Sequence, residues 1–205
     1  MIYLLRHGET VWNREGRIQG QWDSPLTRTG IAQVEAMGQT LRREIGDPRQ
    51  WAMVASPLGR AWQSAAIVAE VLGLDPRGIE HQPCLAEMSF GAWQGKTYDE
   101  VDAAEPGIVA RRESDLWSFR PPGGESYADL AMRVASWVAA LPDWAKLIVV
   151  CHGAIGRALR GRYCDLPPEA IITLSHRQDE FYRLQNRGFE ILRTGFKGRG
   201  DSEAL

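Results

Sequence analysis

MIYLLRHGET, residues 1–10, sets a short hydrophobic run against an arginine, a histidine and a glycine. Ile2-Tyr3-Leu4-Leu5 has the length and composition of a buried strand. Arg6 and His7 come next with no turn between, so two ionisable side chains stand where that strand leaves the core. Either the pair merely marks where the chain surfaces, or a charged site is being built at the strand's end. The residues at the ends of the other strands decide between these.

Two further stretches read the same way. WAMVA (51–55) is a second strand candidate and runs into Ser56-Pro57-Leu58-Gly59-Arg60; LIVV (147–150) is a third and runs into Cys151-His152-Gly153. Between them lie helical patterns. Ile31, Val34, Leu41 and Ile45 recur near helical spacing after Thr27 or Thr29 as caps. Ser56-Pro57 suits the start of a helix that Gly73 closes. Thr97-Tyr98-Asp99-Glu100 spells a capping box, and Leu130, Val134, Val138 and Leu141 share one helix face. Alternating strands and helices predict an α/β fold, a mostly parallel central sheet covered on both faces in three α/β/α layers. IITL (171–174), EFYRLQ (180–185) and FEILR (189–193) read as late strands, the last two a hairpin about Asn186-Arg187-Gly188. Residues 104–124, with three prolines and three glycines, read as a loop over a site. The expected organisation is one domain over 1–195, a loop or lid at about 88–125, and a flexible tail at 196–205.

In an open parallel sheet, ligands sit beyond the carboxyl ends of the strands. Such a sheet brings Arg6, His7, Arg60 and His152 to one edge. These groups repel one another unless an anion lies among them. Guanidinium forks match phosphate oxygens, and a neutral imidazole is a capable nucleophile near pH 7. Gly8 and Gly153, one after each histidine, allow close approach of backbone and ligand.

Composition narrows the class. The 205 residues suffice for one core without disulfides or metal, and 44% hydrophobic with 24% charged residues is a globular balance. A net charge of −2 argues against nucleic acid as partner. Three cysteines, with no C-x-x-C spacing, fit a reducing compartment and neither a disulfide framework nor structural zinc. A strand starting at residue 2 and the absence of long apolar stretches predict no signal peptide and no membrane span, hence a cytoplasmic enzyme.

RHGET, Trp12-Asn13, Gly16-Arg17-Ile18-Gln19-Gly20 and Pro25-Leu26-Thr27-x-x-Gly30-x-x-Gln33 together resemble the opening of the histidine phosphatase superfamily, which includes the cofactor-dependent phosphoglycerate mutases. SPLGRAWQSA (56–65), LAEMSFGAWQG (85–95), PPGGES (121–126) and VVCHGAIGRAL (149–159) are similar to its later blocks, in order. The resemblance implies a phosphoglycerate mutase-like fold and a phosphomonoesterase acting on a small-molecule substrate. It implies His7 as nucleophile, and Arg6, Arg60 and His152 around the phosphoryl oxygens. Glu87 would be the proton donor, with Asn13, Gln19, Gly20 and Gly153 binding phosphate or substrate. No metal and no cofactor are implied, and a homodimer is allowed for. Glu87-Met88-Ser89-Phe90-Gly91-Ala92-Trp93-Gln94-Gly95-Lys96 looks like the phosphatase branch. The alternatives are mutase-type phosphoryl transfer and a non-catalytic phospholigand-binding protein.

Cys151 and Arg157 also spell C-x5-R, the phosphate loop of cysteine-dependent phosphatases. That pattern is short, leaves Arg6, His7, Arg60 and Glu87 without roles, and is better read with Cys151 as a small buried residue. Glu9 is expected to orient an arginine or simply to end the first strand. Trp12, Trp22, Trp93, Trp117 and Phe119 are candidates for an apolar entrance. Arg157, Arg160 and Arg162 read as a solvated helix face, and His81 and His176 as structural or surface residues.

Overall fold

The computed structural model describes residues 1–196; the tail expected over 196–205 falls almost wholly outside them. Its strands are β1 (Ile2–Arg6), β2 (Ala52–Ala55), β3 (Glu80–His81), β4 (Leu147–Cys151), β5 (Glu180–Gln185) and β6 (Gly188–Arg193). The helices are α1 (Val11–Arg14), α2 (Arg28–Glu44), α3 (Gly59–Leu72), α4 (Tyr98–Ala104), α5 (Ile108–Ser114), α6 (Tyr127–Ala140), α7 (Gly153–Tyr163) and α8 (Pro168–Thr173). The sheet order is β3-β2-β4-β1-β5-β6. The first four strands run parallel, β5 runs antiparallel to β1, and β6 closes the edge as a hairpin.

Alternation along the strands divides the core between the two faces. Tyr3, Leu5, Met53 and Ile148 pack with Val34, Met37 and Leu41 of α2 and Val68 of α3. Ile2, Leu4, Val54 and Val149 pack with Leu130 and Val134 of α6 and Ile155 and Leu159 of α7. The fold is therefore the expected three-layer α/β/α sandwich with a mostly parallel sheet. A smaller cluster, Ile18, Trp93, Val101 and Ile108, sits under the segment near residues 88–125.

Four local expectations are corrected. IITL (171–174) is helix rather than strand: Pro168 sits in the first turn of α8, where its fixed φ suits a helix. Ile171 docks against Gly161 of α7, at a spot where a Cβ on the glycine would lie 2.2 Å from Cγ1. The stretch 104–124 carries α5, whose Ile108 is buried in the small cluster. Helix α3 starts at Gly59 rather than Ser56, because its free N–H groups are met by Asp23 from another loop, which accepts from Gly59 N (2.7 Å) and Arg60 N (3.3 Å). The arginines of α7 are not one solvated face. Arg160 is 1% exposed, lies 3.6 Å over the Tyr182 ring and donates to Ser175 O. Arg157 donates to Leu174 O and, at 3.1 Å, to Tyr127 Oη.

The turn after β1 is shaped by two glycines in backbone contact. A Cβ on Gly8 would stand 2.2 Å from Gly30 O, and one on Gly30 would stand 2.1 Å from Glu9 O. Glu9 finishes the junction by accepting from Thr27 Oγ1 at 2.5 Å, and Thr27 caps α2. Gly30→Ala therefore forces backbone apart where no side chain can yield, and should cost about 3 kcal/mol. Gly16, at φ +69 with open space around it, is the control: Gly16→Ala should cost only ~1 kcal/mol of left-handed strain. Urea denaturation of both variants checks the difference.

Candidate active site

The first parallel strand delivers His7 and the central one delivers His152, and the two rings face each other with centroids 5.1 Å apart. His7 N–H bonds to Cys151 O across the two strand ends (3.0 Å), so the register of β1 on β4 fixes both histidines at once. His7 is 2% exposed and His152 0%.

The His7 ring is oriented by its own loop. Nδ1 lies 2.7 Å from Gly8 O, an acceptor, so Nδ1 carries the proton and Nε2 carries the lone pair. Arg60 Nε points at that lone pair from 3.3 Å. Burial, followed by the charges of Arg60 and Arg6, holds the His7 imidazole well below its ordinary value, and it is neutral at pH 7. His152 is pushed the same way by burial first and then by Arg60, His7 and Arg6.

Arg60 is held by the loop that precedes α2. Its Nη2 donates to Gly20 O (2.7 Å) and its Nη1 to Trp22 O (2.7 Å) and Asp23 Oδ1 (2.8 Å). Arg6 donates from Nη1 to His176 O at 2.8 Å, and Gly153 packs on its guanidinium, where a Cβ would lie 3.5 Å from Cζ. Arg6 Nε and His152 Nδ1 are buried with no hydrogen-bond partner among the described residues, and so is Gln19 Oε1. Buried polar groups are normally paired. A phosphate or similar oxyanion between the two imidazoles is what Arg6 Nε and, in its protonated form, His152 Nδ1 are suited to meet.

Glu87 reaches the same edge from the segment after β3. Its Oε1 accepts from Met88 N (2.8 Å) and Ile155 N (3.1 Å), and its Oε2 from Ala154 N (3.1 Å). The carboxylate thus caps α7, the helix that begins beside His152. Gln21 Nε2 and Arg133 Nη2 both donate to Glu87 O (3.2 and 3.3 Å), and Arg133 also grips Cys84 O and Ala86 O. Asn13, in the capping box of α1, accepts at Oδ1 from Thr10 N (3.1 Å).

Of the expected set, Arg6, His7, Arg60, Glu87, His152 and Gly153 converge at the strand ends. Gly20 enters through its carbonyl on Arg60. The expected aromatic entrance reduces to two residues: Trp93 is buried, Phe119 packs beside it in the small cluster, and Trp117 lies against the main core. Trp12 and Trp22 remain near the surface with rings 6.4 Å apart, and Trp22 is 56% exposed.

Cys151 is 0% exposed within the core, and burial pushes its thiol far above the ordinary value. A C-x5-R phosphate loop needs an accessible thiolate, so that reading fails. Residues that sequence reasoning missed are those acting across long separations. Asp23 anchors Arg60; Ser56 Oγ lies 2.7 Å from His152 Nε2; Ser64 Oγ accepts from Gly8 N at 3.2 Å; and Gln178 contacts His7 and Asn13. No local pattern marks them. Among the described residues, no group of three or more His, Cys, Asp or Glu is placed to hold a metal ion, and no helix is long and apolar enough to cross a membrane.

The chain is similar to known proteins over most of its length. The probable phosphoglycerate mutase GpmB of Salmonella paratyphi C is 33% identical over 198 residues, covering 95% of this chain and 89% of that one. Among solved structures, the mycobacterial glucosyl-3-phosphoglycerate phosphatase complexed with VO3 matches at a TM-score of 0.73 and 28% identity, covering 93% of this chain and 96% of the other. YhfR of Bacillus stearothermophilus matches at a TM-score of 0.73 and 28% identity, covering 96% and 97%. The family model of the histidine phosphatase superfamily (branch 1) spans residues 2–193; with two histidines and two arginines gathered at the strand ends, the chain belongs to that superfamily.

Proposed function

We propose that the protein is a phosphomonoesterase that hydrolyses small phosphorylated metabolites through a phosphohistidine on His7. One observation carries the reading. The buried, neutral His7 has its Nδ1 proton tied to Gly8 O, so Nε2 carries the lone pair, which accepts from Arg60 Nε and is released for attack when a phosphate oxygen takes that donor.

In the first half-reaction, Nε2 attacks phosphorus, the N–P bond forms and the ester O–P bond breaks. Arg6, Arg60 and His152 hold the non-bridging oxygens, where charge develops. A bound dianion favours the protonated form of His152 and makes it a second donor. Asn13, Gln19 and the backbone at Gly20 and Gly153 complete the phosphate contacts, the last at a helix N-terminus. Glu87 gives its proton to the leaving oxygen. In the second half-reaction, Glu87 takes a proton from water, the oxygen attacks phosphorus, and the N–P bond breaks to release phosphate and neutral His7.

A mutase reading is favoured by the GpmB relative, whose name is that of a phosphoglycerate mutase. Incubation with a phosphoglycerate pair separates the two: isomer formed without inorganic phosphate favours the mutase. Turnover of any phosphomonoester excludes a mere binder.

His7→Ala should lose turnover by at least ~10⁴-fold and stay folded, whereas Cys151→Ser should keep most activity. Brief exposure to labelled substrate followed by acid and alkaline quenches identifies the adduct, because a phosphoramidate survives base and not acid. Label that survives acid in wild type, or an active His7→Ala variant, overturns the nucleophile.

Glu87→Gln should depend on the leaving group. Alkyl phosphates, whose alkoxide needs a proton, should lose about 10²- to 10⁴-fold in kcat. An aryl ester with an acidic phenol should lose much less in the formation of phosphohistidine, read as the pre-steady-state burst of phenol. Equal losses for both esters in that step would remove Glu87 as the acid.

The pH profile is set by the direction of the His7 shift. Its pKa lies below the ordinary ~6.5, so the nucleophile stays neutral as pH falls through that value. With an aryl ester whose acidic phenol leaves without the Glu87 proton, and after correction for substrate ionisation, kcat/KM should hold from pH 8 through 6.5 and fall only at lower pH. A limb at the ordinary histidine value would contradict the buried, cation-flanked imidazole.

A further inference from the structure

We infer that Gln178 is a positioning residue of this site: its side-chain amide sets the direction of the His7–Gly8 peptide and holds the Asn13 amide with its NH2 free for the phosphoryl group. The inference rests on the phosphohistidine reading above. Gln178 lies between α8 and β5, far in sequence from His7 and Asn13.

Gln178 Nε2 is 3.3 Å from His7 O and 3.0 Å from Asn13 Oδ1. A main-chain carbonyl can only accept, so the His7 side of this contact requires the NH2 end of Gln178. The Asn13 side is settled separately. Amide oxygen and nitrogen are told apart by their partners, and the Thr10 N–H lies 3.1 Å from the same Asn13 atom, which must therefore be oxygen. Two donors thus fill the two lone pairs of Asn13 Oδ1. Its Nδ2 makes no hydrogen bond to the described residues and keeps both hydrogens for an anion.

The contact with His7 completes a second fixture. The His7–Gly8 peptide donates from Gly8 N to Ser64 Oγ (3.2 Å) at one edge and accepts from Gln178 at the other. Ser64 Oγ in turn donates to Arg60 O at 2.7 Å, so the peptide that carries the nucleophile is referenced to the helix that carries Arg60. The segment holding Gln178 is itself fixed. His176 O accepts from Arg6, Ser175 Oγ donates to Glu180 Oε1 (2.6 Å), and Asp179 O accepts from Thr194 N (3.2 Å). One short stretch therefore touches Arg6, His7 and Asn13, and small errors in such placement are costly to in-line transfer.

The test exploits the near-identical shape of glutamine and glutamate. Gln178→Glu presents oxygen to two oxygens, which the site can relieve by turning the Asn13 amide and aiming Oδ1 at the phosphate. Gln178→Met keeps the length, removes the donor and adds no charge. With p-nitrophenyl phosphate at pH 8, Gln178→Glu should lower kcat/KM by about 100-fold and Gln178→Met by about 10-fold. The Gln178→Glu deficit relative to wild type should shrink from pH 8 to pH 5, because a protonated carboxyl regains one O–H donor; nearby His7, His176, Arg177 and Asp179 move the midpoint but not the direction. In an Asn13→Ala background the Gln178→Met loss should shrink at least ~3-fold, since part of it passes through Asn13. Equal losses for Glu and Met that track the melting temperature and keep a constant ratio to wild type across pH would overturn the proposal. If wild type turns over no phosphomonoester, the phosphohistidine reading fails on its own. Calorimetry with inorganic phosphate then still decides on Gln178: a Kd weakened ~10-fold or more in Gln178→Glu supports the positioning role, and an unchanged Kd refutes it.

Discussion

Guanidinium groups taken out of water are the constraint around which the rest of the molecule is arranged. Desolvating an ion costs several kcal/mol even after relaxation, so each must be repaid in hydrogen bonds. Here most partners are neutral main-chain carbonyls: Gly20 O and Trp22 O for Arg60, His176 O for Arg6, Ser175 O for Arg160. Carbonyl dipoles solvate the cations without cancelling their charge. Asp23 is an exception, its carboxylate shared between Arg60 and the N-terminus of α3, and the charge of Glu87 also acts on Arg6 and Arg60. The loops must therefore run where their carbonyls are needed, and the part of the field that the carboxylates leave is available to an anion.

Burial, reinforced by that field, explains why the histidines are neutral. Burial and the nearby arginines lower His7, His152 and His176 together. In the proposed chemistry the two demands are the same demand. Cations that attract a phosphate dianion also keep the attacking imidazole unprotonated, so binding and activation need no separate device. The main-chain acceptor on Nδ1 then selects which nitrogen is unprotonated.

Strands β1, β2 and β4, and the β5–β6 hairpin, were legible because hydrophobic runs and turn residues are local signals. So was the 97–100 capping box, and Thr27 is the one of two candidate threonines that caps α2. The site was legible for a related reason: a parallel sheet gathers the residues just past its strands at one edge, so Arg6-His7, Arg60 and His152 could be brought together without coordinates. Helix α8 was not legible, since the β-branched IITL run favours a strand until Ile171 meets the gap at Gly161. Arg160 reads as surface until Tyr182, contributed by β5, slides beneath it. Asp23, Ser64 and Gln178 act only across the fold. Their polar side chains look ordinary in sequence, because what defines them is the partner, and the partner is distant.

The acid segment bears on hydrolysis against phosphoryl return. Residues 84–87 are stapled to α6 by Arg133, tied to Gln21, and fixed to α7 through the Glu87 carboxylate. In the proposed cycle one carboxyl must serve the leaving oxygen and then the incoming water, both on the face of phosphorus opposite His7. A rigid mount suits that sequence, because the leaving oxygen and the water occupy the same place in turn and the carboxyl need not move between them. Phosphoryl return to a substrate instead requires the departing alcohol, or its isomer, to stay and keep water from that place. Trp22, on the loop that holds Arg60, is exposed, with its ring 6.4 Å from that of Trp12. A carboxyl mounted in this way suits the proposed hydrolysis, in which water follows the leaving oxygen into one place.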